Sequence, residues 1–205
     1  MRLRVNPTRM ELLKIRRRLA TARRGHKLLK DKLEGLMQEF MERIAAYRGL
    51  RRRVDAELPR VLGRFTLAEL LAGSRALRAA LESARPTVAI EFRTRKLMSV
   101  PVPEVRMTLG PRRPYSFLDT PAELDAAVTA LRALAPELAE LAEREEAVRR
   151  LAKEVEKTRR RTNALEHVLI PNLQETRKYI AAKLDENERS NISRLMKIKD
   201  IIRRG

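Results

Sequence analysis

The 205-residue sequence has no cysteine and no tryptophan, and only four phenylalanines and three tyrosines. Without thiols there is no disulfide framework, no thiolate metal site and no cysteine nucleophile. So few aromatic anchors leave little from which to build a bulky globular interior. The seven glycines are scattered, and none sits in a Gly-rich loop followed by Lys and Ser/Thr, the pattern that cradles nucleotide phosphates. No stretch reaches the run of about 18 apolar residues that a membrane span needs. The opening MRLRVNPTRMELLK lacks the apolar centre of a secretory signal. These absences predict a cytosolic protein that meets a membrane only through partners.

What is present is charge and aliphatic side chains. Charged residues make up 36% of the chain and the formal net charge is +19. Residues 1 to 53 hold 17 Lys/Arg against 5 Asp/Glu, a net of +12, whereas residues 54 to 121 carry +4 and residues 122 to 205 carry +3. The positive field therefore sits on the first stretch and steers toward something acidic: nucleic acid, anionic lipid or an acidic protein.

Leu12, Ile15, Leu19, Ala22, His26, Leu29, Leu33, Leu36 and Phe40 follow alternating steps of three and four, and Ile44 and Tyr47 continue after a shift of register. This heptad seam predicts a helix from about residue 8 to about 56, roughly 75 Å long. A second seam runs through Leu138, Leu141, Glu145, Val148, Ala152, Val155, Thr158, Thr162, Leu165, Leu169, Leu173, Thr176, Ile180 and Leu184, then fades into Ile192, Leu195, Ile198 and Ile202. A helix with one apolar stripe is not stable alone, and an antiparallel hairpin lets each stripe bury the other. The second helix is the longer, so part of it must overhang its mate.

The middle has a different period. Residues 66 to 84 read as a short helix capped by Thr66, with Glu69 completing a capping box. Residues 87 to 109 alternate at Val88, Ile90 and Phe92, while Pro101 and Pro103 restrict the return to an edge strand or an irregular segment. The expected fold is mainly α. A long antiparallel two-helix coiled coil is formed by an N-terminal helix (1–56) and a C-terminal helix (121–205), with a small α/β insert of a short helix and a β-hairpin between them (57–120).

No catalytic residue, cofactor site or metal site is assigned. His26 and His167 are far apart and neither has a helically spaced histidine partner, so both read as structural or solvent-facing. Glu140, Glu143, Glu145, Glu146, Glu154 and Glu156 are interleaved with Arg149, Arg150, Lys153 and Lys157, which makes a solvated face stitched by ion pairs and not an acid/base pair in a pocket. Arg16, Arg17, Arg18, Arg23, Arg24 and Arg51 to Arg53 are a surface that could neutralise phosphates. Stacking aromatics and a recognition helix are missing, so nucleic acid is not an expected partner. A free-standing basic helical adaptor or nucleic-acid-binding coiled coil is the alternative reading.

One stretch needs its own account: RRRTNALEHVLIPNLQETRKYI, residues 159 to 180. Thr158 and Thr162 put small polar groups in the seam, Arg159 to Arg161 surround it, and Pro171 removes a hydrogen bond and bends the helix. Small seam residues permit close helix contact, and the arginines can meet acidic loops of an enclosing protein. A bent coiled coil with a charged exterior explains the same residues with no partner at all. The residues themselves favour neither.

Two blocks, NPTRMELLKIRRRLATARRGHKLLKDKLEGL (6–36) and RRRTNALEHVLIPNLQETRKYIAAKLDENERSNISRLMKIKD (159–200), resemble the D subunit, the central rotor shaft, of the rotary V-type, or archaeal and bacterial A-type, ATPases and ATP synthases. The likeness spans essentially the whole chain. It implies a non-catalytic central-stalk shaft whose terminal ends enter the cavity of a hexamer built from the catalytic and nucleotide-binding A and B subunits. It also implies binding to the small F subunit of the stalk, and seating on a funnel-shaped subunit that joins the membrane rotor ring. Such a shaft couples ATP synthesis or hydrolysis to ion transport, with the proton as the expected ion, from the cytoplasmic side of the membrane. Thr8, Arg9, Leu12 and Lys14 match the N-terminal signature, and Arg161, Asn163, Ala164, Leu165, Glu166 and Pro171 the C-terminal one. The resemblance places the first group, with Ile192, Leu195 and Ile198, at the shaft tip facing the hexamer. Arg159, Arg160, Arg161, Asn163, Glu166 and Pro171 fall lower, as a stalk-partner or shaft contact.

Overall fold

A computed structural model of the chain describes residues 5–83, 87–111, 115 and 120–204. Two expectations reach beyond these: the opening residues 1 to 4, and Ala84 as the end of the short helix. The elements in order are helix α1 (Arg9–Ala72), helix α2 (Ser74–Ser83), strands β1 (Val88–Leu97) and β2 (Val100–Leu109), helix α3 (Ala122–Ala164), a five-residue π-helical turn (Leu165–Leu169) and helix α4 (Ile170–Arg204). The architecture is mainly helical, with a β-hairpin between long helices, as the residue patterns and the resemblance imply.

Thr8 caps α1: its Oγ1 accepts from the Glu11 N–H at 3.2 Å. The helix does not end near residue 56. It continues through Pro59 to Ala72, because one missing backbone bond costs less than the packing of Leu50, Val54 and Val61 against Leu134 and Leu141 supplies. Thr66 is therefore not an N-cap. It lies inside α1 and its Oγ1 donates to the Leu62 carbonyl at 3.1 Å. Glu69 accepts from the Ser74 hydroxyl at 2.6 Å and does not close a capping box. The stop is Gly73, whose φ of +80° suits a residue without Cβ and whose N–H bonds the Glu69 carbonyl at 2.8 Å.

Contacts divide the chain into two compact units, one of Met1–Gly35 with Val155–Gly205 and one of Leu36–Glu154. In the first, Ile15, Leu19 and Ala22 of α1 pack against Leu173 and Ile180 of α4, with Leu12, Tyr179 and Leu184 flanking. Arg9 pairs with Glu188 and His26 with Glu166, so the two helices run antiparallel. Three threonines on the seam are buried, Thr158, Thr162 and Thr176. They stay in helical geometry because hydroxyls turn inward to carbonyls one turn back: Thr162 to Thr158 at 3.0 Å and Thr176 to Asn172 at 2.7 Å.

In the second unit, α1 and α3 meet through the Leu50–Val54–Val61 and Leu134–Leu141 cluster, and Arg53 faces Glu137. A further cluster joins Ala68 of α1, Leu77 and Ala80 of α2, Tyr115 and Leu124, with the Tyr115 hydroxyl donating to Asp125 at 2.5 Å. The seam on α3 differs from the expected register by about one residue. Ala147 and Leu151 are buried, not Glu145 and Ala152. Glu145 instead takes the Arg149 guanidinium at 3.0 Å and lies 4.0 Å from Arg51 of α1, at the edge of the seam.

The hairpin pairs Leu97 with Val100 across a two-residue turn, Met98–Ser99, both with positive φ (46° and 72°). That is the twist a tight hairpin needs, adopted here without the usual Asn or Gly. Pairs alternate outward from the turn between bonded and non-bonded, so Pro101 and Pro103 fall at non-bonded positions opposite Lys96 and Thr94, where no N–H is required. The outer edge of β2 is covered by α3: Glu143 accepts from the Val105 N–H at 2.7 Å, and Arg150 donates to the Pro101 carbonyl at 2.9 Å. Arg132 donates to the Gly110 carbonyl at 2.6 Å. The two prolines that looked like obstacles to a strand thus occupy an edge that has to be closed.

Candidate functional site

Pro171 sets the geometry of the first unit. It has no N–H to offer the His167 carbonyl, and its ring crowds that oxygen. The backbone widens ahead of it, and the Ile170 N–H reaches back five residues to the Leu165 carbonyl. The missing hydrogen bond is thus accommodated as a π-helical turn, a local widening common at functional sites. Leu169 is the last residue of this turn, and the seam resumes after it at Leu173, Thr176 and Ile180. Leu169, read from spacing as a seam residue, is 41% exposed, while Leu173 one turn later is 2% exposed.

Opposite the turn, α1 offers small residues at Thr21, Ala22 and Gly25. Large leucines facing small residues leave a groove of about 660 Å³, floored by Leu165, Leu169 and Leu173 and rimmed by Arg17 and Arg18. A Cβ built at Gly25 meets nothing within 4 Å. His26, one residue beyond, places Nε2 3.2 Å from Glu166 Oε2. That pair bridges the two helices beside the groove, and spacing gave no sign of it because its partners are 140 residues apart.

The residues expected at the tip are distributed as follows. Thr8 is the cap, Arg9 pairs with Glu188, Leu12 flanks the Ile15–Leu19 cluster, and Lys14 lies 3.4 Å from Glu11. Ile192, Leu195 and Ile198 are 52%, 65% and 52% exposed, about one to three turns beyond the Arg9–Glu188 pair. Every described side chain from Asp185 to Arg203 is exposed. In the second group, Arg160 pairs with Glu156 on its own helix and Glu166 with His26. Arg159, Arg161, Asn163 and Pro171 are exposed. The structure brings Glu166 to α1 but makes no single cluster of the six.

Among the described residues no group of three or more His, Cys, Asp or Glu could hold a metal, and no helix is long and apolar enough to cross a membrane. Two carboxylate and guanidinium groups are displaced from their ordinary pKa. Glu146 is held below the usual glutamate value, chiefly by its hydrogen bond from Arg150, and Arg51 is raised, chiefly by its hydrogen bond to Asp55. Both belong to exposed ion pairs along a helix, where they steady the surface and perform no chemistry.

Antiparallel helices, an exposed aliphatic end of α4 and an edge-closed hairpin define a mainly helical protein with an inserted β-hairpin. The chain belongs to the ATP synthase D-subunit family, whose sequence model matches residues 11–200. It is 46% identical to the V-type ATP synthase D subunit of Acetivibrio thermocellus over 98% of this chain and 92% of that one. It is also 46% identical to that of Thermoanaerobacter sp. strain X514 over 98% of each, and 45% identical to that of Clostridium botulinum strain ATCC 19397 over 98% of this chain and 96% of the relative. The protein is accordingly a non-catalytic central-stalk rotor component of a rotary V/A-type ATPase, coupling the catalytic head to the membrane rotor.

Proposed function

We propose that the end of α4 is the part of the rotor that turns inside the head, within a hexamer of A and B subunits, while the small F subunit of the stalk and the funnel-shaped subunit on the rotor ring bind elsewhere on the chain at the cytoplasmic side of the membrane. The observation that carries this reading is the apolar stripe Ile192, Leu195 and Ile198, left exposed beyond the last ion pair to α1. Large aliphatic side chains in that number on a free surface imply a covering partner. They are interspersed with Arg194, Lys197 and Lys199, so the cover is apolar with acidic neighbours. Thr8, Arg9, Leu12 and Lys14 support the tip from α1. Arg159, Arg161 and Asn163 are the side chains of the second stretch left for a stalk or shaft contact, since Arg160 and Glu166 are engaged within the chain.

The test is single-molecule rotation. Arg95→Cys on exposed β1 gives a unique thiol for a bead, because the chain has no cysteine. Unidirectional turning in thirds of a revolution on addition of ATP is the expected result. Leu195→Asp combined with Ile198→Asp should lower affinity for the head with the melting temperature of the free chain unchanged. Undiminished affinity would refute the tip assignment.

A further inference from the structure

The groove beside the π-helical turn is not explained by the pairing of α1 with α4, since a seam made only to hold two helices together would close it. Three features point outward from it. Leu169 is 41% exposed on a helix whose seam neighbours Leu173 and Ile180 are 2% and 0% exposed. Gly25 occupies a helix interior, where alanine is the better helix former, and the space beside it is open. Arg17 and Arg18 at the rim pair with no carboxylate among the described residues. Arg16, Arg23 and Arg24 on the same stretch of α1 likewise pair with none, so the rim belongs to a basic face, whereas Arg43, Arg51 and Arg60 further along each have a carboxylate.

We propose that this groove is a socket for an acidic, partly apolar segment of the catalytic head, which inserts an aliphatic or aromatic side chain between Gly25 and Leu169 and sets a flanking carboxylate against Arg17 or Arg18. This rests on the reading that the end of α4 turns within the head, and extends the head's contact along the same helical pair to the groove. The apolar floor selects the anchoring side chain and the unpaired guanidiniums select the sign of its neighbour. Gly25 is the residue that keeps the seat open. Pro171 contributes at one remove, through the π-helical turn at whose end Leu169 stays exposed. A head segment is favoured over a free small anion because the floor is a stripe of leucines at four-residue spacing, matched to a segment that lies along the helices.

The experiment titrates the fluorescently labelled chain onto the assembled head, comparing wild type, Gly25→Leu and Gly49→Leu. Gly49 is a second glycine of α1 with nothing within 4 Å of a built Cβ, but it belongs to the other unit. Gly25→Leu should fold with an undiminished melting temperature and bind at least tenfold more weakly, while Gly49→Leu binds as wild type. Leu169→Ser, altering an already exposed side chain, provides a second route to the same loss if Gly25→Leu is unstable. Arg17→Glu with Arg18→Glu should weaken binding and flatten its dependence on salt. Wild-type binding with Gly25→Leu and Leu169→Ser both unaffected overturns the socket alone. Equal losses in Gly25→Leu and Gly49→Leu overturn it too, as does a loss confined to the small stalk partner. Failure of the wild-type chain to bind the head overturns the assembly reading and the socket with it.

Discussion

Truncating Ile180 to alanine tests whether the helical pair of the first unit is a packed seam in the free chain. Ile180 is fully buried against Ile15, Leu19, Ala22 and Leu173. The substitution removes three carbons, worth about 0.8 kcal/mol each, or roughly 2.4 kcal/mol of transfer free energy. The neighbours are fixed on two helices, and Ala22 is too small to fill the gap, so a cavity term brings the loss to about 3–4 kcal/mol. For a chain of this length each kcal/mol lowers Tm by about 2–4 °C, giving a fall of roughly 6–16 °C. Urea titration followed by circular dichroism measures the first quantity, and scanning calorimetry the second. Leu195→Ala is the control: at 65% exposure it should cost under about 0.5 kcal/mol. A loss below about 1 kcal/mol for Ile180→Ala, or equal losses for the two, would show that this seam is not formed in the free chain. Leu33 and Leu165, also seam positions by spacing, are only half-buried, and their truncation should cost less than that of Ile180.

Gly73→Ala forces a Cβ into the left-handed conformation that ends α1, and should cost about 1–2 kcal/mol in a denaturation titration. Glu143→Ala removes the acceptor of the Val105 N–H on the β2 edge; amide hydrogen exchange should show hairpin protection falling by about 1–2 kcal/mol with α4 unaffected. Glu146 has its folded-state pKa lowered by Arg150, so its contribution to stability is present above the ordinary glutamate pKa and lost as pH falls through the lowered value. Acid titrations of wild type and Glu146→Gln should therefore differ at neutral pH and converge in strong acid, and parallel curves would remove Glu146 from the acid limb.

The long helices were legible because a three-four spacing of aliphatic residues has almost no other use than to line a seam, and burial of Ile15, Leu19, Leu36, Leu173 and Ile180 follows that spacing directly. The hairpin was legible from the alternation at Val88, Ile90 and Phe92. The end of the first helix was not. Pro59 and Thr66 carry local stop and start signals, and those signals were overruled by packing partners about 70 to 80 residues away on α3. The register of α3 slipped for a related reason: Glu145 and Ala152 fit the spacing as well as Ala147 and Leu151, and only the facing helix decides which pair is covered. On the candidate site, the exposed end of α4 was visible as a seam that outlasts its mate. The groove was not, because it needs Gly25 and Leu169 at the same height on two helices.

By itself, then, the sequence determined the local terms: heptad spacing, the missing N–H of Pro171, the excess of arginine near the start, and the absence of any thiol or phosphate loop. Those depend on neighbours within a turn or two, or on composition. The tertiary structure decided what depends on partners far along the chain: the continuation of α1 to Gly73, the covering of the β2 edge by Glu143 and Arg150, the His26–Glu166 pair, and the opening of a leucine-floored groove opposite a glycine. Each is a balance of a few kcal/mol between a local preference and a packing contact, and the contact exists only once the chain has folded back on itself.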